Sequence, residues 1–448
     1  MALVTKAIKG TQDLLPCDSY KNRFVEQTML DIAAKFGFKE IRTPVFEHTE
    51  LFSRGVGDTT DVVQKEMYTF DDKGGRSITL RPEGTAGAMR AFLEHGLFNE
   101  PLPQKVSYLT SCYRYEKPQA GRLREFHQFG VECFGTAAPA ADAELICLAH
   151  QIFNFLGIEG LTLELNSIGC PTCRKLYHKA LRDYFEAHRA QLCPTCLDRL
   201  ERNPMRILDC KNPECKEIAQ NAPKVLDYIC SDCAAHFDAV KRHLDAMNIP
   251  YVVNPTIVRG LDYYTRTVFE FVSTQIGAQG TVCGGGRYDG LAEELGGSAT
   301  PSLGFALGIE RLMLLIQAQN TPLPEEEKTD LFIVTMGDDA NCRAAQLACS
   351  LRENGMTVQY DVLGRSVKAQ MKYANKIKAC NTVVIGDSEL ESGVVTVKNM
   401  EGDGSAQLPL ADFEDAFERY LIQAELRKIA DGEGMEGADL SQLLTKTE

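Results

Sequence analysis

The segment SCYRYEKPQAGRLREFHQFGVE (111–132) is the densest concentration of charged and amide side chains in the chain. It reads as two strands joined by a polar loop that carries Lys117, Gln119, Arg122 and Arg124. Strand side chains alternate in direction, so Arg114 and Glu116 share one face of the first strand. Gln128, Gly130 and Glu132 share one face of the second. If the strands pair, one sheet face gathers a cation with amides and carboxylates, and a guanidinium fork suits phosphate oxygens. A solvated hairpin with surface charges fits the same residues.

Four other segments carry candidate chemistry. RPEGTAG (81–87) follows a strand and sets Glu83 in a turn, as a polar tip or as part of a site. VRGLDYYTRTVFEF (258–271) places Arg259, Asp262, Tyr263 and Tyr264 just ahead of a strand. GGGRYDG (284–290) reads as a glycine loop, either mobile or able to bring backbone close to a ligand. GIER (308–311) sets Glu310 and Arg311 where an apolar helix begins, a place where arginines are ordinarily solvated. The chain has no GxxxxGK[ST], no GxGxxG opening a helix after a strand and no GxSxG. The common nucleotide and hydrolase motifs are therefore absent, and an anion must be held another way.

The elements that position these residues follow from pattern. Phe24, Met29, Ile32 and Ala33 recur at helical spacing and predict a helix over 22–35. Strands are expected at 38–42, 77–80, 106–115, 126–134 and 161–165, with a helix over 142–156. Short connections between several of the strands favour an antiparallel sheet. Further strands are expected at 250–253 and 267–273, a Gly-rich loop over 280–291, and a strand running into an apolar helix over 304–317. Residues 170–245 are Cys-rich, charged and helical in pattern, with prolines as breaks, and read as an insertion. The polar, acidic stretch 319–330 reads as a linker. Beyond it, strands at 331–336, 357–362, 382–386 and 394–399 alternate with helices at 340–353, 366–378 and 410–426, a small α/β domain. The tail from 429 to 448 reads as loose.

Composition sets outer bounds. A chain of 448 residues has room for two or three domains. With 44% apolar and 25% charged residues it is not a disordered chain. No apolar run approaches the roughly 20 residues of a membrane helix, and no secretory signal opens the sequence. A cytoplasmic protein with no membrane partner is expected. The net charge of −14 argues against a general nucleic-acid coat, yet it permits local basic patches. One such patch is predicted where Arg365, Lys368, Lys372 and Lys376 recur at helical spacing; a solvated amphipathic helix fits equally.

Eight of the 16 cysteines fall between Cys170 and Cys233. They come as pairs: Cys170 with Cys173, Cys193 with Cys196, Cys210 with Cys215, and Cys230 with Cys233. A CxxC turn presents two thiolates to one metal, and two such turns close a tetrahedral site. Bound structural zinc is expected, at least one per chain; four pairs are enough for two sites, and connections of 19, 13 and 14 residues suit zinc-ribbon-like loops. The alternative is eight reduced thiols, several of them buried.

Taken together, the segments resemble the class II aminoacyl-tRNA synthetases, and among them the histidyl-tRNA synthetase family. FGFKEIRTPVFE, with Pro44, is similar to the first class motif, found at the dimer interface. YRYE through FHQFGVE is similar to the second, and GFALGIERL to the third. VRGLDYY and GGGRYDGL resemble the two histidine-specific signatures. The resemblance runs from about residue 8 to about residue 425. It implies an α+β catalytic domain, an antiparallel sheet flanked by helices, over 1–169 and 246–325. It further implies a helical Cys-rich insertion over 170–245 resembling a clamp on the tRNA acceptor stem, and an α/β anticodon-binding domain over 326–428.

The resemblance also implies an activity and its residues. L-histidine and ATP, with magnesium, give histidyl-adenylate, and the acyl group passes to tRNA(His) on a homodimer. Arg114 and Arg259 flank the α-phosphate, with Arg311 and Arg122 on the polyphosphate. Phe126 stacks on adenine and Glu116 accepts from its amino group. Glu132 and Tyr264 hold the imidazole, Glu83, Thr85 and Gln128 bind the amino end, and Tyr263 and Tyr288 form walls. Gln119 inspects the tRNA acceptor end. Another class remains: a non-ligase, histidine-sensing regulatory paralogue of ATP phosphoribosyltransferase. A plain RNA-binding protein is a third reading.

Overall fold

The computed structural model describes residues 4–56, 60, 62–257, 259, 261–277, 280–402 and 404–430. The expected tail lies, beyond Ala430, outside the described residues. The chain divides into two compact units, 1–324 and 325–448.

The first unit is built on an eight-stranded sheet. Its order is Lys39–Glu40, Gln104–Tyr113, Glu125–Phe134, Ser302–Gly308, Thr281–Arg287, Thr265–Val272, Thr162–Ser167 and Val252–Val253. The six inner strands pair antiparallel, and the two short outer strands add in parallel. The expected hairpin is present: Gln104–Tyr113 and Glu125–Phe134 pair along their whole length, with Thr110 opposite Gln128 and Tyr108 opposite Gly130.

Alternation decides what each face does. Phe129, Val131 and Cys133 enter a core with Leu303, Phe305, Leu307, Phe269 and Phe271. The helices Pro16–Lys35, Pro139–Phe155 and Ile309–Gln319 supply that core's other side, through Val25, Met29, Ile146, Ile152, Leu312 and Leu315. Gln128, Gly130 and Glu132 therefore belong to the opposite face, as do Gly304 and Ala306. A three-stranded antiparallel sheet, Phe46–His48, Ser77–Leu80 and Tyr68–Asp71, lies beside the larger one in sequence.

Two expectations need correction here. Residues 281–287 are a central strand, not a loop, although they include three glycines in a row. Local composition predicts a turn, but Cys283–Arg287 pair on both sides, with irregularities at Thr281/Cys283 and Gly286/Arg287, and the neighbours need the missing side chains. Arg114 and Glu116 lie past the end of their strand at Tyr113, in the loop that follows.

The insertion is helical: Pro171–Ala187, Pro194–Arg202, Pro213–Gln220 and Ser231–Ala246, with short 3-10 turns between. Pro171, Pro194, Pro204 and Pro213 do not break helices; each opens one, where the missing N–H costs nothing.

The second unit has a five-stranded sheet in the order Val358–Tyr360, Leu331–Thr335, Asn381–Ile385, Val394–Asn399 and Ser405–Pro409. The first three run parallel and the last two are antiparallel additions. Helices Asp338–Glu353, Val367–Lys376 and Phe413–Ala430 accompany it. The edge strand Ser405–Pro409 and the short helix Asp387–Ser392 are not foreseen from pattern, because neither buries more than an occasional side chain.

Candidate active site and thiolate clusters

On the sheet face opposite the core lies a cavity of about 380 Å³. Beneath its lining sits a buried carboxylate. Tyr108 Oη donates to Glu132 Oε1 at 2.9 Å, and Tyr288 Oη donates to Oε2. Burial pushes the Glu132 carboxyl up to about 8, against the pull of bonds from Tyr288, Thr85 and Tyr108. Nearby, Glu83 accepts the backbone N–H of Thr85 at 2.7 Å and of Ala86 at 2.8 Å, at the start of helix Thr85–Glu94. Glu83 is 3% exposed, so it is no polar turn tip. Burial raises its carboxyl too, opposed by those two N–H groups. Tyr263 stands between Tyr264 and Tyr288, with ring centroids 4.8 and 5.4 Å away.

Glycines make the space for these groups. A Cβ on Gly304 would occupy the Glu132 carboxylate, and one on Gly130 or Gly84 would enter the Tyr108 ring. A Cβ on Gly284 would meet the Arg259 guanidinium.

Four arginines complete the lining, and Arg259 lies 5.7 Å over the Tyr264 ring. Arg114 Nε donates to Pro82 O at 2.9 Å, and its guanidinium lies 5.2 Å from the Phe126 ring centre. Arg122 pairs with Glu116, and Arg259 with Glu270, which also accepts from Thr281 Oγ1 at 2.8 Å. Arg311 is half-buried rather than solvated; its Nη1 donates to Thr281 O at 2.8 Å. Burial first, and then the charges of Arg122 and Arg114, lower its hold on the proton. Like charges gathered this way repel one another, and a polyanion relieves the repulsion.

A cavity lined by four arginines above a tyrosine-framed carboxylate has cations to offer a polyphosphate and buried polar groups to offer a polar ring. Comparison with known proteins agrees with this chemistry. A family profile described as "Histidyl-tRNA synthetase" matches residues 10–312, and one described as "Anticodon binding domain" matches 330–420. The chain belongs to the histidyl-tRNA synthetase family.

It is 55% identical to the Clostridium novyi (strain NT) protein named Histidine--tRNA ligase, across 92% of this chain and 98% of that one. It is 54% identical to the protein of the same name from Caldanaerobacter subterraneus subsp. tengcongensis, across 92% and 99%. Among solved structures, the apo histidyl-tRNA synthetase of S. aureus is 42% identical, with a TM-score of 0.79 over 93% of this chain and 99% of that one. A Bacillus halodurans structure titled as an ATP phosphoribosyltransferase regulatory subunit/histidyl-tRNA synthetase shares the fold at 22% identity and a TM-score of 0.61.

For this histidyl-tRNA synthetase family member, the fold brings most of the sequence candidates together. Glu83, Thr85, Gln128, Tyr263, Tyr264 and Tyr288 line the cavity, as do Arg114, Glu116, Arg122, Phe126, Arg259 and Arg311. Glu132 lies beneath the lining, fully buried. Gln119 does not line it; it is exposed in the loop, exchanging backbone hydrogen bonds with Arg122. Lys368, Lys372 and Lys376 are exposed on helix Val367–Lys376. Arg365 precedes that helix, paired with Asp361 at 2.5 Å and stacked 4.0 Å from the Tyr373 ring. Sequence reasoning missed Tyr108, whose only signal is its place in the strand alternation. It also missed Asp209 and Lys211, which line the cavity from the insertion.

The eight paired cysteines gather into two groups. Cys170, Cys173, Cys230 and Cys233 form one, and Cys193, Cys196, Cys210 and Cys215 the other, with all sulfurs of a group within 4.8 Å of one another. The first and last pairs thus meet, and the middle two meet. A tetrahedral Zn–S4 site with bonds of about 2.3 Å has sulfurs about 3.8 Å apart. Cys170–Cys173, Cys173–Cys233 and Cys193–Cys210 stand at 3.5, 4.0 and 3.9 Å. The scaffold is not ribbon-like. Cys170, Cys193 and Cys230 each precede a helix, so the positive helix ends face the sulfurs. Burial raises the Cys170 thiol, but the Cys173 N–H and further bonds bring it down to about 6. The donor set fits a thiophilic metal.

Proposed function

We infer that this chain is a histidine–tRNA ligase and that the cavity is where it joins histidine to AMP. It is an enzyme that activates L-histidine with ATP and transfers it to tRNA(His). The carrying observation is one cavity lined by four arginines with the buried, tyrosine-framed Glu132 carboxylate beneath it. A carboxylate oxygen of histidine bonds to the α-phosphorus while the bond to the β-phosphate breaks, and pyrophosphate leaves with that electron pair. A ribose hydroxyl of the terminal adenosine then attacks the acyl carbon, and AMP leaves.

Arg114 and Arg259 take the α-phosphate between them, and Arg122 and Arg311 the outer phosphates. Each guanidinium is already held by a neighbour, so little reorganisation is needed as charge develops. Phe126, stacked under Arg114, offers its ring to adenine, and Glu116 accepts from the adenine amino group. Glu132 and Tyr264 bind the imidazole; Glu83, Thr85 and Gln128 bind the α-amino end. A pocket of satisfied polar groups rejects amino acids that cannot replace those bonds. Magnesium adds positive charge on the polyphosphate when bound; Glu310, a hard oxygen donor lining the cavity, would hold it by sharing a carboxylate that already accepts the His127 backbone N–H at 3.0 Å and faces its ring Nδ1 at 2.8 Å.

Residues 1–169 and 246–325 serve catalysis. Residues 170–245, with Gln119, meet the acceptor end of the tRNA, and 326–428 bind the anticodon through Lys368, Lys372, Lys376 and Arg365. The enzyme works in the cytoplasm as a homodimer paired through the segment around Pro44. Supporting this, Val45 and Phe46 are 40% and 57% exposed there, and Phe70 of the same small sheet is 48% exposed. No helix among the described residues is long and apolar enough to cross a membrane.

Each cysteine group holds one structural zinc. Purified without chelator, the protein should carry about two zinc per chain; less than a tenth of an equivalent, with thiols reduced, removes the zinc assignment. The ligase reading is tested by histidine-dependent exchange of pyrophosphate into ATP. Folded protein that shows no exchange with magnesium present sinks it.

A further inference from the structure

The insertion meets the catalytic machinery through Arg174, which donates to Asp262 O at 3.2 Å and to Tyr264 O, and through the segment from Asn203 to Lys211. Asn203 Nδ2 donates to Asp262 Oδ1 at 3.1 Å, and Arg206 Nη2 lies 3.4 Å from the same oxygen. Asp262 directly precedes Tyr263 and Tyr264, two walls of the cavity. Ile207 is fully buried, and two residues on the chain reaches Asp209 and Lys211, both cavity-lining. Between them sits Cys210, buried, its sulfur 3.9 Å from that of Cys193 in the second thiolate group. On the far side, Asn212 Oδ1 accepts the N–H of Glu214 at 3.0 Å and of Cys215 at 3.4 Å, and Cys215 belongs to the same group.

Lys211 is thus fixed at both neighbours while its own side chain remains exposed at the cavity. Among the described residues its ammonium enters no ion pair. Asp209 and Lys211 line the same cavity as Arg259, the partner of Glu270. The segment therefore opens on the cavity that the arginines line, where the ligase reading puts the phosphates.

We propose that Lys211 is a substrate-contacting residue, an ammonium on a phosphate oxygen, and that the second thiolate group is the positioning device that holds it there. The inference rests on the ligase reading and on metal in the Cys193–Cys215 group. It gives that metal a role in catalysis beyond holding the insertion together. A lysine on a flexible stem contributes as a point charge only if its backbone is fixed. A four-thiolate site that includes the preceding residue fixes it within the reach of one side chain. The phosphate belongs either to ATP or to the terminal phosphodiester of the tRNA, and the two sources separate by step.

The test uses full-length, metal-loaded enzyme and the variants Lys211→Ala, Lys211→Arg and Cys210→Ser, with Lys216→Ala as an exposed control in the same insertion. Three quantities are measured: bound zinc, the ATP KM and kcat of pyrophosphate exchange, and single-turnover transfer from preformed adenylate to tRNA. Lys211→Ala should keep its zinc yet raise the ATP KM by about ten- to a hundredfold, the effect of one charge-assisted bond. Lys211→Arg should recover most of it. Cys210→Ser should lose about one zinc and show the same rise. If exchange is unchanged and single-turnover transfer falls instead, the phosphate contact stands and belongs to the tRNA. If Lys211→Ala behaves as Lys216→Ala in both steps, the proposal is overturned. If Cys210→Ser loses zinc without changing either step, the positioning half is overturned. A wild-type enzyme with no exchange would instead refute the ligase reading.

Discussion

Raising the pH from 7 to 9 should weaken histidine binding through Glu132, and the size follows from where that carboxyl titrates. In the ligand-free cavity burial holds it at about 8, far above its ordinary 4.5. The imidazole of free histidine titrates near ~6.5. The complex needs one proton between carboxyl and ring. At pH 7 the free cavity already carries it and the free ring is largely neutral, so binding exchanges almost no proton. Above about 8 the cavity has lost its proton, and binding must take one from solvent. Affinity then falls about tenfold per pH unit, or about 1.4 kcal/mol. Titration calorimetry at pH 7, 8 and 9 in two buffers of different ionisation enthalpy reads this directly. Proton uptake should rise from near zero towards one, with Kd about fivefold weaker at pH 9 than at pH 8, where half of the carboxyl is still protonated. Histidine's own α-amino group also titrates in the alkaline range, so the comparison is with Glu132→Gln, which shares that effect and lacks the carboxyl. Identical proton uptake by the two proteins would refute the reasoning. The same shift acts on the empty protein. Between 4.5 and about 8 the folded state keeps a proton that the unfolded state releases. Its stabilising contribution is therefore full below 4.5 and is lost as pH rises to about 8, a decline that Glu132→Gln should abolish.

Arg259→Ala should lower pyrophosphate exchange by about a hundredfold or more in kcat, because a preorganised cation at the reacting phosphate is gone; a change within twofold would remove it from that role. Gly304→Ala puts a Cβ where the Glu132 carboxylate stands, so histidine affinity should collapse while the thermal transition remains cooperative. Unchanged histidine KM in that variant would show that the carboxylate has room to move. Replacing Lys368 and Lys372 together by Glu should raise the KM for tRNA and flatten its salt dependence, leaving pyrophosphate exchange intact. Loss of exchange in that double variant would assign the helix to something other than tRNA.

The parts legible in the sequence are those set by local periodicity and by residue type. Alternation along 104–134 specifies a hairpin, and it separates Phe129 and Val131 in the core from Gln128 and Glu132 on the working face. Arginines in ordered segments suit phosphate, and the five segments together resemble one family, from which the expectation of an imidazole pocket comes. Four close cysteine pairs specify metal donors, because two thiolates one helical turn apart face the same point. What only the tertiary structure decides concerns residues far apart in the chain. Nothing local says that Cys170 and Cys173 meet Cys230 and Cys233 while the middle pairs meet each other; the packing of four helices does. The glycines of 284–286 read as a loop because glycine lowers strand propensity, yet they form a central strand, and Gly284 leaves room for the Arg259 guanidinium on its face. Glu132 is an ordinary acidic residue until Tyr108, Tyr288 and the sheet exclude water from it, and only then is its carboxyl raised to about 8. Lys211 carries no signal in its own neighbourhood beyond a cysteine beside it; its place at the cavity comes from the turn at 204–207 docking on Asp262, a contact across more than fifty residues of chain.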